Sequence, residues 1–307
     1  MEPRTKDDNR PALLVEHVSK SFDEFQAVSD LSLTVRPHVI YGLLGPNGAG
    51  KTTTIRMIVN IIAPDSGRIE LGGRAMSDSL MDRIGYLPEE RGLYRKMRVG
   101  EQLRFFGQLK GLSAGEANGA ASKWLDRLKL SEWKSKRTDE LSKGMQQKIQ
   151  FIATVMHAPE LLILDEVFTG LDPANAELMT EVLLELKAAG HTIILSTHSM
   201  EQAERLCDDI CLINKSRKVL EGGLREVKHS FGRHAVALRA EGDGDVLDDS
   251  RLVAGVKPYA DYREVLLAAG ADSQELLARL VAGGARVSRF EEVEPSLRDI
   301  FLREVEG

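Results

Sequence analysis

The chain has 307 residues, 42% hydrophobic and 29% charged, which is the composition of an ordinary globular protein long enough for two domains. Its net charge of −6 argues against a protein that holds nucleic acid mainly by neutralising phosphates. The two cysteines, Cys207 and Cys211, are too few for a disulfide framework or a zinc site and indicate a reducing cytoplasm. No apolar run reaches about 18 residues and the polar N-terminus lacks a secretory signal, so we expect another chain to supply any membrane-spanning part.

The predicted elements begin after a polar lead, residues 1–11, which we expect to be disordered. Apolar strands then alternate with helical patterns up to about residue 228. This alternation predicts an α/β domain whose parallel sheet is covered by helices on both faces. The strand-like segments that define it are 13–35, 39–44, 161–164 and 191–198.

Two regions depart from this alternation. Residues 99–157 contain consecutive helical patterns and predict a helical insert in the α/β domain. After a boundary near His229, the tail alternates short strands and helices over about 80 residues. We therefore predict an α/β domain over 1–228 and a small α+β domain over 229–307.

The segment GPNGAGKTT at 45–53 fits the phosphate-binding pattern G-x-x-x-x-G-K-[ST] between an apolar strand and a helix. Its glycines let backbone N–H groups surround anionic oxygens at a helix N-terminus. Lys51 is expected to reach the β- and γ-phosphates, and the Thr52 hydroxyl to hold Mg²⁺. The predicted ATP-binding residues of this loop are Gly45, Pro46, Asn47, Gly48, Ala49, Gly50, Lys51, Thr52 and Thr53.

The apolar strand LLILDE at 161–166 ends in two carboxylates. In phosphate-loop proteins an aspartate at this place helps to hold the magnesium, which assigns Asp165 to the metal. Glu166 is then placed to orient or deprotonate the water that attacks the γ-phosphate.

With these motifs in order, residues from about 13 to 228 resemble the nucleotide-binding subunit of ABC transporters. The segment LSKGMQQK at 141–148 resembles the family's signature motif, Leu-Ser-Gly-Gly-Gln. The resemblance implies a P-loop NTPase of the ABC class whose copies pair head to tail, the signature of one capping the γ-phosphate held by the other. Ser142 would supply a hydroxyl there, and Gly144 would allow close approach.

The resemblance assigns further residues one at a time. Phe22 matches the aromatic residue that stacks on adenine, with Phe25 as the competing candidate. Asp172 matches the loop that crosses between the two sites, and His198 matches the switch histidine that contacts the γ-phosphate. Glu89 stands where the family usually has glutamine and is expected to meet magnesium or a water.

Three other positions depart from the family pattern. Lys143 replaces a glycine and Met145 a glutamine of the signature, while Val167 replaces a proline after the acidic strand end. None of these changes removes a group that touches phosphate, so activity is still expected. Glu89, the LSKG sequence and the tail together resemble the subunits of sodium-efflux and other ABC-2-type exporters.

The function implied is an ATPase that powers a separate membrane permease from the cytoplasmic face, as a homo- or heterodimer with no nucleic-acid partner. The permease is expected to dock near the helical insert and residues 89–97. A chromosome or DNA-repair ATPase would need a long coiled coil, but only about 90 residues separate the phosphate loop from the signature. A GTPase would carry Asn-Lys-x-Asp, whereas NKSR at 214–217 lacks the aspartate. An ATP-binding regulatory protein with little hydrolysis remains the alternative.

Overall fold

The computed structural model describes residues 10–90, 92–231, 235–242, 244–268 and 270–306. The chain folds into two units, Met1–Gly222 and Gly223–Gly307. The boundary proposed from the sequence, near His229, falls within the first helix of the second unit. The disordered lead proposed for residues 1–11 lies almost entirely outside the described residues.

The first unit contains three groups of elements: an antiparallel sheet, a largely parallel sheet with its helices, and a helical insert. Its strands are β1 (Leu13–Phe22), β2 (Phe25–Val35), β3 (Ile40–Leu44), β4 (Ser66–Leu71), β5 (Arg74–Ala75), β6 (Ile84–Leu87), β7 (Leu161–Asp165), β8 (Thr192–Thr197), β9 (Asp209–Asn214) and β10 (Arg217–Gly223). Its α-helices are α1 (Lys51–Ile58), α2 (Val99–Leu109), α3 (Ala114–Arg127), α4 (Lys143–Val155), α5 (Pro173–Ala188) and α6 (Met200–Leu206).

The central sheet has the strand order β10-β9-β3-β8-β7-β6, and its five strands from β9 to β6 run parallel. Strands β3, β7 and β8 are buried along their whole length. A parallel strand covered on both faces needs apolar side chains at nearly every position, which explains why these segments are continuous rather than alternating. The parallel sheet predicted from the sequence is therefore present.

The antiparallel sheet, in the order β2-β1-β4-β5, packs against the central sheet through a shared core. Leu13, Val15 and Leu31 of this sheet are fully buried together with Leu43 of β3 and Ile55 of α1. This packing carries β2 alongside the phosphate loop, because the loop connects β3 to α1. The antiparallel sheet thus supplies one wall of the site described below.

The helical insert consists of α2, α3 and α4, with two short 3₁₀ turns between α3 and α4. Ser113 and Glu116 form a reciprocal capping box at the start of α3, and Ser142 caps α4. Such caps satisfy backbone N–H groups that have no partner within the helix. Among the helices that the structure describes, none has the length and apolar character required to span a bilayer.

The second unit is a four-stranded antiparallel sheet with helices. Its elements are α7 (Leu224–Ser230), β11 (Ala235–Glu241), α8 (Gly244–Leu247), β12 (Val253–Pro258), β13 (Arg263–Leu267), α9 (Ser273–Ala282), β14 (Arg286–Val293) and α10 (Leu297–Glu306). The strand order is β12-β13-β11-β14, and α9 contributes Leu276 and Leu280 to a core of its own. Strand β12 and helix α8 are elements that sequence reasoning did not predict.

Candidate nucleotide-binding site

The sequence-predicted site residues lie at the carboxyl ends of neighbouring strands. Gly45 follows β3 and His198 follows β8. Asp165 ends β7, Glu166 follows it, and Glu89 lies two residues beyond β6. These strands are adjacent in the order β3-β8-β7-β6, so residues far apart in the chain meet at one edge. Open α/β sheets bind their ligands at this edge.

Two glycines of the phosphate loop have no room for a side chain. A Cβ atom on Gly45 would lie 2.1 Å from the carbonyl oxygen of Ile213, and one on Gly50 would lie 2.5 Å from that of Ala27. Both also have positive φ angles, 150° and 108°, that disfavour other residues. The loop is therefore pressed against β9 on one side and β2 on the other, which fixes its backbone.

Lys51 is 6% exposed, and its side chain lies inside the phosphate loop. Its ammonium group donates hydrogen bonds to the carbonyl oxygens of Gly45 at 2.7 Å and Pro46 at 3.2 Å. Burial lowers the pKa of Lys51, while the nearby carboxylates, led by Glu166, act in the opposite direction. The lysine thus places its ammonium group inside the turn of the phosphate loop.

Thr52 and Asp165 are in direct contact. The Thr52 hydroxyl donates to Asp165 Oδ2 at 3.1 Å, and Asp165 is only 1% exposed. Magnesium prefers oxygen ligands and commonly binds to one or two carboxylates together with phosphate oxygens. The exposed carboxylate of Glu89 lines the same cavity and offers a further oxygen ligand. The residues present therefore fit the magnesium that the sequence predicted.

Glu166 has a backbone conformation unusual for a residue other than glycine, with φ of 52°. Its Oε1 atom accepts hydrogen bonds from the backbone N–H of His198 at 3.2 Å and from the His198 ring Nδ1 at 2.8 Å. The Glu166 side chain is 10% exposed and that of His198 57% exposed. Backbone strain of this kind concentrates at functional sites, and here it accompanies a carboxylate that lines the same cavity as the phosphate loop.

These groups surround a cavity of about 370 Å³. Its described lining consists of Phe25, Ala27, Asn47, Gly48, Ala49, Gly50, Lys51, Thr52, Thr53, Glu89, Asp165 and Glu166. Most of the sequence-predicted loop residues and all three carboxylates therefore come together. Gly45 and Pro46 contribute through their carbonyl contacts with Lys51, and His198 through Glu166.

The aromatic wall of the cavity is Phe25, the competing candidate, rather than the favoured Phe22. The two phenylalanines face each other across the β1–β2 hairpin, with the ammonium group of Lys20 lying 5.7 Å from the centre of the Phe22 ring. Phe25 is the residue whose strand continues toward the phosphate loop. Ala27, two positions further along the same face of β2, also lines the cavity. Sequence reasoning missed this residue, although side chains two positions apart on a strand share a face, so Phe25 points to Ala27.

The signature residues and the crossing loop are not among the described lining residues of this cavity. Ser142 is exposed and caps α4 by accepting a hydrogen bond from the Met145 N–H at 3.3 Å. Asp172, also exposed, caps α5 through Asn175. The nearest contact of a Cβ on Gly144 would be the Gly170 oxygen at 3.4 Å, an ordinary distance, so the fold of this chain does not itself require glycine there.

Two family models match the sequence. The model described as ABC transporter covers residues 28–169, which include the phosphate loop, the signature and the acidic strand end. The model described as ATP-binding protein DrrA1-3-like, C-terminal domain, covers residues 222–305, nearly the whole second unit.

Known proteins match over most of the chain. The uncharacterized ABC transporter ATP-binding protein YhaQ of Bacillus subtilis is 44% identical over 293 residues, covering 95% of this chain and 98% of YhaQ. Nod factor export ATP-binding protein I of Burkholderia lata is 36% identical over 291 residues, covering 94% of each.

A solved structure of an ATP-binding subunit of an ABC transporter covers 72% of this chain and 93% of its own, with 32% identity and a TM-score of 0.68. This likeness confirms the P-loop NTPase fold that the sequence predicted. The chain is therefore a member of the ABC transporter ATP-binding protein family, whose ATP-binding domain hydrolyses ATP to power transport.

Proposed function

We propose that two copies of this subunit, or one copy and a related subunit, pair head to tail around two MgATP and drive a separate membrane permease as an exporter. One observation carries the proposal. Ser142 and Gly144 are solvent-accessible at a helix N-terminus suited to an anion, yet they are not among the described residues that line the nucleotide cavity of their own chain. A second subunit would bring this helix to the phosphate that its own chain leaves uncovered.

Within one subunit, each group has a separate task. The loop N–H groups and Lys51 would hold the β- and γ-phosphates. Glu166, oriented by His198, would position the attacking water and take its proton, while the exposed His198 ring would sense the γ-phosphate. Phe25 would stack on the adenine ring from the β2 side.

Thr52, Asp165 and Glu89 would hold the magnesium ion. The ion would neutralise charge on the phosphate oxygens during transfer. Across the pair, the Ser142 hydroxyl and the α4 N-terminus would cap the γ-phosphate, and Asp172 would lie in the loop that connects the two sites. Release of the γ-phosphate after hydrolysis would remove the group that both subunits contact, and the pair would reopen.

The permease would dock at residues 89–97 and the helical insert. Tyr94 stacks against Phe106 at 6.0 Å between ring centroids and meets Phe105 edge-on, and Tyr94 is 55% exposed. Leu109, at the end of α2, is 63% exposed. Accessible aromatic and apolar side chains of this kind mark protein interaction surfaces. Because the segment begins at Glu89, it would connect the docking surface to the nucleotide.

Export is supported by a group of relatives named Nod factor export proteins. The resemblance of Glu89, the LSKG sequence and the tail to sodium-efflux and ABC-2-type subunits favours the same direction. In this arrangement the subunit would lie on the cytoplasmic face of the membrane, held there by the permease. Copurification of a membrane protein with the tagged chain, lost on replacing Tyr94 and Phe105 by serine, would support this docking surface.

The pairing is tested by light scattering on the Glu166→Gln variant, which retains bound ATP if Glu166 is the general base. With MgATP we expect twice the monomer mass, and without nucleotide the monomer mass. Addition of Lys51→Ala is the matched control and should abolish the dimer. A Glu166→Gln protein that binds MgATP and stays monomeric at every concentration would contradict pairing between two copies of this chain.

A further inference from the structure

The nucleotide cavity contains more negative than positive side chains. Among its described lining residues, Glu89, Asp165 and Glu166 are carboxylates, and Lys51 is the one cation. Asp165 accepts a hydrogen bond from the Thr52 hydroxyl, and Glu166 accepts one from the His198 ring. Glu89 is exposed and makes no hydrogen bond or ion pair among the described residues; its cationic neighbour there is Lys51, which it shares with the other two carboxylates. A carboxylate beside a polyphosphate raises the electrostatic cost of binding unless a cation compensates it.

Lys143 presents the opposite situation. It is the first residue of α4, directly after Ser142, and its side chain is exposed. Within the described part of the chain it makes no ion pair or hydrogen bond. A cation in the first turn is unfavourable for the helix, because that end of the helix dipole is already positive. The lysine charge therefore does not stabilise its own helix.

Lys148, in the same helix, is a lysine whose ammonium group has hydrogen-bond partners within its own chain. It is buried, and its ammonium group donates to the carbonyl oxygen of Leu128 and to Asn175 Oδ1, each at 3.0 Å. Lys143, by contrast, has no partner among the described residues, and Glu89 shares Lys51 with two other carboxylates. The two charges, opposite in sign, lie on the two surfaces that the proposed head-to-tail pair would bring together.

We propose that Lys143 of one subunit pairs with Glu89 of the other across the nucleotide, so that each closed site receives a second lysine beside its three carboxylates, in addition to Lys51 and the magnesium ion. This inference rests on the proposed head-to-tail pairing. Lys143 then acts as a positioning residue in the closed pair. Its charge neutralises Glu89 beside the γ-phosphate, and this contact links closure of the two subunits to the segment 89–97. Charge pairs that become desolvated at an interface are coupled more strongly than exposed pairs on a single surface.

The test is a double-mutant cycle on the dissociation constant of the MgATP-loaded dimer, measured by sedimentation in the Glu166→Gln background. Lys143→Ala should weaken the dimer about 10-fold when residue 89 is glutamate, and less than about 3-fold when Glu89→Gln is also present. Lys143→Arg should restore the dimer to within about 2-fold, since it keeps the charge. Lys123→Ala, which removes an exposed lysine from α3, is the control and should change nothing.

The outcomes separate this inference from the proposed function. Equal weakening by Lys143→Ala with and without the Glu89→Gln change would overturn the pair, because the lysine would then act on the phosphate alone. No weakening in either case would overturn it as well. Under both results the Glu166→Gln dimer would still form and the head-to-tail pairing would stand. Failure of the Glu166→Gln protein itself to dimerise would remove both the pairing of two copies of this chain and the Lys143–Glu89 pair between them.

Discussion

At the scale of single residues, the site depends on side chains held by partners far away in sequence. The carboxylate of Glu166 is fixed by the backbone and ring of His198, which follows the neighbouring strand. Its positive φ is maintained in part by the hydrogen bond from its N–H to the Ser196 carbonyl oxygen, at 3.0 Å. Such a constrained residue suits a base that must meet one water in one orientation.

Replacing Glu166 by glutamine keeps the size of the side chain and removes its ability to accept a proton. We expect ATP turnover to fall by ~10²–10⁴-fold and ATP affinity to stay within about threefold. Phosphate release and fluorescent-ATP titration measure the two quantities. Glu201→Gln, at an exposed carboxylate on α6, should leave both unchanged. Turnover that survives Glu166→Gln would take the role of base away from this residue.

Lys51 should act on binding. Lys51→Ala removes the buried ammonium group, and we expect the dissociation constant for ATP to rise about 10- to 100-fold, the range for loss of a charged hydrogen bond. Fluorescent-ATP titration checks this, with Lys123→Ala as the matched surface change. Undiminished affinity would show that the lysine makes no contact with the phosphates.

At the scale of elements, glycines near the starts of two helices have different roles. Gly50 is required by its own chain, since a Cβ there would collide with the Ala27 carbonyl oxygen of β2. Gly144, at the second position of α4, has ordinary space around it and a helical backbone. The first glycine therefore serves the fold of the loop, and the second is free to serve contact with a partner.

Gly144→Asp should leave the monomer as stable as the parent, because a carboxylate in the first turn of a helix is favourable. It should abolish ATP-driven dimerisation, because that carboxylate would meet the partner's γ-phosphate. Gly50→Ala should instead prevent ATP binding altogether. Thermal unfolding, ATP titration and light scattering distinguish the two variants; a Gly144→Asp protein that still dimerises with MgATP would argue that α4 faces solvent.

The elements that sequence reasoning reached are those with strong local patterns. The phosphate loop, β7 and the three helices of the insert are marked by glycine spacing, a continuous apolar run or helical periodicity. Strand β12, VAGVKP, was not predicted, since glycine and proline weaken its pattern and only pairing with β13 makes it a strand. The choice between Phe22 and Phe25 likewise depends on which end of a hairpin meets the loop, which local sequence does not encode.

At the scale of the whole molecule, the chain is two units with separate cores. Tyr41, Leu43 and Ile55 belong to the core of the first, and Val236, Leu276 and Leu280 to that of the second. The described lining of the nucleotide cavity comes wholly from the first unit. A ligand stabilises only the unit that binds it, by an amount set by its concentration relative to its dissociation constant.

Calorimetry of the intact chain should therefore show two transitions. MgATP at about 100 times its dissociation constant should stabilise the first unit by about 2.7 kcal/mol and raise only that transition. The second transition should not move. In Lys51→Ala, whose dissociation constant is expected to be about 10- to 100-fold higher, the same MgATP concentration should stabilise the first unit by only about 0.4–1.4 kcal/mol. One transition that shifts as a whole would show instead that the two units unfold together.

The two cysteines have a practical consequence. Cys207 and Cys211 are buried, and burial raises the pKa of each thiol to about 12, so almost no reactive thiolate is present at neutral pH. Maleimide dyes should leave the native protein unlabelled and react only once it unfolds, which mass spectrometry can follow. A single cysteine introduced on the surface, for instance by Ser142→Cys, is then a selective attachment point for spectroscopic probes. Cys207 and Cys211 need not be replaced first.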